Sequence, residues 1–317
     1  MKIVFVGASR FGLRCLDAAR QLSGIDIVGI ITNEQRFSIS YAPEGVTNVL
    51  HADFLRYAET HGIPAYLMKE RMTEADLVGH VRAWEPELFL VVGWYHMVPS
   101  LLLEISDAIG LHASLLPDYS GGAPLVWAMI NGEKKTGITL FRFSDGVDDG
   151  PIVGQMAVDI SADDTIATLY KKIEVVGLDL IKKYLPRFID GSVALTPQNE
   201  EMRRIFPQRT PEDGKIDWTQ PAQMIHDFVR AQTRPYPGSF TMFDSKKLTI
   251  WKSRLVSANL DSSRPPGCFF LSDENQLLVI CGRQSLIALD EVGFEGRDMA
   301  ATTWFRDVAN EGEGQFV

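Results

Sequence analysis

Residues 3–6 (IVFV) form an unbroken apolar run that ends at Gly7, and Leu13, Leu16, Ala19 and Leu22 then recur at three-residue steps. A strand covered on both faces shows no alternation, and the helix that crosses over it shows one apolar stripe, so this pair predicts a buried parallel strand feeding a helix. The order repeats downstream as a strand over 26–32, a helix over about 51–61, a short strand over 65–67, a helix over 73–83 and a strand over 88–93. Further strands are expected at 109–112, 136–143 and 152–159, and an amphipathic helix from Thr165 to about Leu185, ending before Pro186. Alternation of this kind predicts an α/β domain with an open, mostly parallel sheet.

From Asp190 to Pro211 the chain turns polar and loses its period, as a linker does. Beyond a short helix near 221–231, the runs SFTMF, KLTIW, GCFFL, QLLVI and SLIALDEV are short, β-rich and separated by turn residues, which predicts a small β-barrel. The aromatics Phe243, Trp251, Phe269 and Phe270 read as its core. Residues 33–50 read as a surface loop, with closure over a substrate as the alternative.

Composition narrows the function. The chain has 317 residues, 45% apolar and 23% charged, enough for two domains with real cores. Lys and Arg total 31 against 41 Asp and Glu, a net charge of −10, which disfavours a broad grip on nucleic acid. Cys15, Cys268 and Cys281 are scattered without C-x-x-C spacing, which argues against a disulfide framework or thiolate zinc site and fits a reducing cytoplasm. The IVFV run is too short for a signal-peptide core, and no apolar run approaches the roughly 18 residues of a membrane span. A soluble cytoplasmic protein without a membrane partner is expected.

The turn GASRFG after the first strand suggests anion binding at a helix start. It lacks both G-x-G-x-x-G and G-K-[ST], and Thr32-Asn33 stand where a dinucleotide fold carries an acid, so a plain strand-to-helix turn is the simpler reading. Richer chemistry lies in 108–150. His112 follows a short strand, Ser120-Gly121-Gly122-Ala123-Pro124 form a glycine-rich loop, and Asp145, Asp148 and Asp149 cluster at the end. Ligands of open α/β sheets bind outside strand ends, where His112 and Asp148 can meet across 36 residues of sequence.

These residues carry a resemblance. His112-Ala113-Ser114-Leu115-Leu116-Pro117, Gly121-Gly122-Ala123-Pro124, Thr136-Gly137-Ile138-Thr139 and Val147-Asp148-Asp149-Gly150 resemble, in order and spacing, the signature of the formyltransferases that use 10-formyltetrahydrofolate. The start KIVFVG and, later, Lys215-Ile216-Asp217-Trp218 and Arg234-Pro235-Tyr236-Pro237-Gly238-Ser239-Phe240 extend it over nearly the whole chain. The resemblance implies a Rossmann-like domain over 1–192, a linker over 193–204 and an OB-like barrel over 205–317. Gly93-Trp94-Tyr95, Ala123-Pro124-Leu125-Val126-Trp127 and the run Val147 to Gln155 are closer to the branch that formylates nucleotide-linked amino sugars, enzymes of lipopolysaccharide biosynthesis, than to the methionyl-tRNA branch. From Ile205 onward 12 basic residues face 15 acidic ones, a balance of −3, whereas a barrel that holds tRNA should be basic.

The resemblance also assigns roles. His112 takes the proton of the attacking amine or stabilises the oxyanion, and Asp148 orients its ring. Gly93, Trp94, Tyr95, Leu115, Asp145, Gly146 and Val147 are expected at the folate. Ser9, Arg10, Ser114, Tyr119, Gly121, Gly122 and Pro124 are expected at the amine substrate, with backbone around 120–123 close to a diphosphate. No metal is required, and a homodimer is compatible. One position departs: the family has Asn two residues before its histidine, and this chain has Gly110. Losing one oxyanion donor typically costs about 100- to 1,000-fold in rate. Three accounts stay open: a donor from elsewhere, with His96 as candidate beside the space that Gly110 leaves; a slow or variant enzyme; or a non-catalytic binding relative. Methionyl-tRNA formyltransferase is the other enzyme reading.

Overall fold

The computed structural model describes residues 1–39, 42–257, 264–309 and 314–316. In chain order its first elements are β1 (Lys2–Val6), α1 (Arg10–Arg20), β2 (Asp26–Thr32), β3 (Arg36–Ile39), β4 (Ala42–Thr47), α2 (Phe54–His61), β5 (Ala65–Leu67), α3 (Ala75–Trp84) and β6 (Leu88–Val91). Then come α4 (Ser100–Leu103), β7 (Ala108–His112), β8 (Ser120–Gly121), α5 (Pro124–Ile130), β9 (Lys135–Arg142), β10 (Ile152–Asp159), α6 (Ile166–Ile189) and β11 (Ile205–Phe206). The remainder holds α7 (Ala222–Gln232), β12 (Ser239–Phe243), β13 (Lys246–Val256), β14 (Cys268–Leu271), β15 (Leu277–Ile280), β16 (Leu286–Phe294), β17 (Arg297–Ala300), α8 (Ala301–Asp307) and β18 (Gly314–Gln315). Two compact units interleave in sequence: residues 1–122, 136–159 and 171–206 form one, and 123–135, 160–170 and 207–317 the other.

The first unit is built on a seven-stranded sheet of order β10-β9-β7-β6-β1-β2-β5. Strands β7, β6, β1, β2 and β5 are parallel, and β9 runs antiparallel to β7. Covered on both faces, Ile3 to Val6 and Leu88 to Leu90 are buried without alternation, as their unbroken apolar runs require. Helix α2 starts at Phe54 rather than 51 because the Asp53 carboxylate accepts the Arg56 N–H at 2.9 Å and caps it. Helix α6 continues through Pro186 to Ile189 instead of stopping before it. A proline four residues from a helix end removes one intrahelical bond, and the remaining turn carries on.

Residues 36–47, expected as loop, form the β3–β4 hairpin, with Ser40 and Tyr41 outside the described residues. Its Phe37 ring packs 5.3 Å from those of both Tyr95 and His96. The stretch read as a linker is also tied down. Thr196 bridges Ile152, and β11 pairs in parallel with β8.

The second unit is an antiparallel sheet of order β12-β13-β16-β15-β14-β18, with β17 on β16, curled as a half-barrel. The register of β13 against β16 shifts between Ile250 and Ser253, the kind of bulge that bends a strand. Among the described residues β12 and β18 do not pair, so the expected barrel is open. Phe269, Trp304 and Phe316 centre its core with Phe243 against them, and α8, which supplies Trp304, had no clear signal in sequence. Phe270 joins a smaller cluster with Leu278 and Ile280. Trp251 is not core: its indole N–H donates to Asp298 at 2.7 Å and the Arg234 guanidinium lies 4.1 Å over its ring. Among the described residues no helix is long and apolar enough to cross a membrane.

Candidate active site

His112 is the last residue of β7 and pairs with Thr139 of β9. The turn that follows is locked from beneath by the buried Thr139 hydroxyl, which donates to the Ser114 carbonyl at 2.7 Å and accepts the Leu116 N–H at 3.1 Å. Gln155 completes the lock, donating to the Leu116 carbonyl at 2.8 Å and to Thr139 Oγ1 at 2.9 Å. Gly137 is needed beside it, because a Cβ there would stand 2.4 Å from Leu115 Cδ2. Leu115, expected at the folate, therefore packs on β9, and Ser114, expected at the substrate, donates within the turn to the Asp118 carbonyl at 2.7 Å. The T-G-I-T motif thus holds the histidine turn in shape.

His112 and Asp148 do meet, at 3.5 Å between Nδ1 and Oδ2, with side chains 11% and 20% exposed. The ring's other nitrogen, Nε2, lies 2.7 Å from the Tyr119 carbonyl oxygen. A carbonyl only accepts, so Nε2 carries a proton, and Nδ1 is the nitrogen turned toward the carboxylate. Tyr119, expected at the substrate, thus fixes the ring through its backbone carbonyl, a role expected of Asp148. Asp148 stands beside Nδ1, with its negative charge next to that nitrogen. Its Oδ2 also accepts the Gly121 N–H at 2.8 Å. Because β9 is antiparallel to β7, Arg142 lies beside Ile109, so the 143–150 loop leaves from the strand end away from His112. Asp148 reaches the ring with a left-handed φ of 53°.

Gly110 leaves no room, contrary to expectation. Its missing Cβ would stand 2.5 Å from Phe143 Cε2 and 2.7 Å from the Val91 carbonyl oxygen. The Phe143 ring occupies the space of a side chain at 110 and stacks on Phe141 with centroids 5.0 Å apart. His96 contacts other groups: its Nε2 is 3.4 Å from Asn33 Nδ2, and its ring sits by Phe37 and Trp94. Burial pushes the His96 imidazole below its ordinary pKa, favouring the neutral ring.

The two loops expected at the folate are linked by Ser100, whose hydroxyl donates to Asp145 Oδ1 at 2.7 Å. Exposed apolar side chains stand on both, with Tyr95 and Met97 on one and Val147 on the other. The Tyr95 hydroxyl donates to Asn48 at 3.1 Å, and the Trp94 N–H points to Met72 Sδ at 3.1 Å. Gly146 lies hard against the Asp149 carboxylate, which would meet a Cβ there at 1.8 Å. Gly93 has φ 64°, and its missing Cβ would be 1.9 Å from Ser9 Oγ, the oxygen that caps α1 by accepting the Gly12 N–H at 3.0 Å. Gly93→Ala combines left-handed strain with displacement of that cap, so it is expected to lower stability by about 2 kcal/mol. An unchanged denaturant midpoint would sink that account.

The substrate residues divide. Arg10 is exposed at the first turn of α1, while Ser9 is buried as its cap. The glycine loop is not an open phosphate cradle: Gly121 N–H is held by Asp148, and Gly122 N–H donates to the Phe206 carbonyl at 2.9 Å. The strand pairing of β8 with β11 occupies the N–H groups on either side of Gly121, with Ser120 donating to the Arg204 carbonyl at 3.0 Å. Pro124 opens α5 in the second unit. Sequence reasoning missed Phe143, Ser100 and Gln198, whose roles depend on register and loop path. For Phe143 the i, i+2 spacing from Phe141 in FRF was the available signal.

Comparison with known proteins matches residues 1–185 to a family described as formyl transferase and 209–308 to the formyl transferase C-terminal domain. A methionyl-tRNA formyltransferase of Geobacter metallireducens is 32% identical over 301 residues, covering 94% of this chain and 92% of its own. One from Alkaliphilus oremlandii is 30% identical over 300 residues, covering 94% and 93%. Among solved structures, the sugar 3N-formyl transferase WlaRD, in the presence of dTDP and 5-N-formyl-THF, superposes with TM-score 0.65 at 20% identity, over 91% of this chain and 97% of that one. The N-formyltransferase from Helicobacter canadensis, with folinic acid and dTDP-3-aminofucose, also gives TM-score 0.65 at 20% identity, over 91% and 98%.

Proposed function

The chain belongs to the formyltransferase family, and from that premise we propose that it moves the formyl group of 10-formyltetrahydrofolate onto the amine of a nucleotide-linked amino sugar. The observation that carries the substrate class is the charge of the second unit. Its acidic balance is reinforced by pairing: Arg230 meets Asp227 at 2.7 Å, Arg234 meets Glu291 at 2.9 Å, Lys246 meets Glu295 at 2.6 Å and Arg254 meets Asp290 at 2.9 Å. Cations already facing carboxylates add little to a grip on a polyphosphate backbone, whereas a diphosphate needs few. The second reading, methionyl-tRNA as acceptor, is favoured by the names of the relatives 30–32% identical to this chain.

The chemistry follows from the dyad. The neutral amine attacks the formyl carbon, forming a C–N bond and a tetrahedral oxyanion, and the Nδ1 lone pair of His112 accepts the proton the amine sheds. Asp148 stabilises the resulting imidazolium while Tyr119 keeps the ring in place. Collapse breaks the bond to the folate N10, and the same proton passes from Nδ1 to that nitrogen. The folate lies against the two loops joined through Ser100 and Asp145. A cytoplasmic location, a place in lipopolysaccharide biosynthesis and a homodimer are part of the same proposal.

Incubation with 10-formyltetrahydrofolate and a panel of UDP- and dTDP-linked amino sugars, dTDP-3-aminofucose included, is expected to add one formyl mass to at least one sugar. Methionyl-tRNA run in parallel is expected to stay unformylated. Formylation of the tRNA alone, with rates falling steeply as salt rises, would reverse the substrate assignment.

A further inference from the structure

The segment between the two family matches, residues 186–208, supplies the groups that hold both partners of His112. On one side the Gln198 side-chain nitrogen donates to the Asp148 carbonyl at 2.8 Å and to the Gly150 carbonyl at 2.7 Å. Its amide is oriented by that pair of acceptors, and its own Oε1 is buried with no partner among the described residues. Arg203 adds to the same loop, donating to the Val147 carbonyl and approaching Asp149 at 3.7 Å. On the other side the Phe206 ring stacks on Tyr119 with centroids 4.5 Å apart, and Arg204 grips Asp118 with two bonds of 2.5 and 2.6 Å.

We infer that Gln198 is a positioning residue for formyl transfer, acting through Asp148 to set the carboxylate beside His112 Nδ1. The left-handed backbone of Asp148 is a conformation that persists only when its surroundings over-determine it. Gln198 holds the chain just after that residue, pinning the carbonyls at 148 and 150 with the two hydrogens of one nitrogen. Without those donors the loop relaxes, the carboxylate drifts from the ring, and the proton transfer loses its counter-charge. The substrates are not touched, so their binding is left as it was. The inference rests on the reading of His112 and Asp148 as the reacting dyad.

Gln198→Met keeps the volume and removes the donors, and Gln198→Glu sets an acceptor against two carbonyls. Each is made in the full chain and assayed with 10-formyltetrahydrofolate and dTDP-3-aminofucose, or methionyl-tRNA if that acceptor turns over. Either variant is expected to lower kcat about tenfold, with KM for both substrates within about threefold of wild type. In an Asp148→Asn background the further loss should be less than about threefold, because a residue that acts through another is not additive with it. With ring-15N-labelled histidine, the His112 nitrogen signals should move in the direction that Asp148→Asn moves them, a readout that needs no acceptor. Wild-type kcat, a full independent loss in the Asp148→Asn background, or unmoved His112 signals would overturn the inference. If His112→Ala and Asp148→Asn themselves keep wild-type turnover, the dyad reading fails and takes this inference with it. If they lose turnover and the Gln198 variants do not, the inference alone is wrong.

Discussion

His112→Ala is expected to lower kcat for formyl transfer by about 100- to 10,000-fold, with KM for the folate and the acceptor within about threefold of wild type. At about 1.4 kcal/mol per factor of ten, that is roughly 3–6 kcal/mol of transition-state stabilisation removed with one imidazole. The split between kcat and KM follows from the geometry. The Tyr119 carbonyl and the Asp148 carboxylate hold the ring in place, and it acts on the substrate through a proton that moves only as the C–N bond forms, so ground-state binding of either substrate changes little. Asp148→Asn should be milder, about 10- to 100-fold, because the tautomer is fixed by Tyr119 and only the counter-charge is lost. Initial rates of folate release across both substrates measure all of this. A His112→Ala enzyme within tenfold of wild type would mean that the amine's proton leaves by another route. A wild-type protein that binds the folate yet turns over no acceptor would favour the non-catalytic account instead.

The sheet was legible because its central strands, β1 and β6, are covered on both faces and read as unbroken apolar runs. Residues 26–32, 65–67 and 152–159 are strands with the bounds their apolar runs predict. The hairpin at 36–47 escaped because its exposed strands, APEGVT among them, have neither alternation nor β-branched density. At the site, the pairing of His112 with Asp148 was readable from the motif, but what holds the pair was not. Backbone atoms carry much of it: the Tyr119 carbonyl and the Gly121 N–H have no side-chain identity that a sequence displays. The polar stretch 193–204 loses periodicity in the manner of a linker, yet Gln198 and Arg203 within it make specific bonds to the loop of Asp148. Absence of periodicity reports the lack of a regular element; it is silent on isolated contacts of irregular backbone.

Restoring the family's asparagine by Gly110→Asn is expected to damage the protein rather than improve it. The new Cβ would stand 2.5 and 3.0 Å from two atoms of the Phe143 ring and 2.7 Å from the Val91 carbonyl oxygen. Backbone on one side and a packed ring on the other leave little freedom to yield, so a loss of about 3 kcal/mol or more is expected. In a domain of this size that lowers the melting temperature by roughly 6–12 °C. Turnover should not rise, because the amide has no space in which to face the reaction. Adding Phe143→Ala vacates that space. Residues 110 and 112 project from the same face of β7, so an amide at 110 can then act beside His112. If the slow step is limited by an unsupported oxyanion, the double variant should exceed Phe143→Ala alone in kcat by as much as about 100-fold. Equal turnover of the two would place the oxyanion donor elsewhere, and His96→Ala in the wild-type background then separates the remaining possibilities. A fall in kcat with that change implicates the imidazole, and no change leaves a backbone N–H as the donor. An undiminished melting temperature for Gly110→Asn would show that Phe143 moves aside easily, and the argument that its ring excludes the asparagine would be lost.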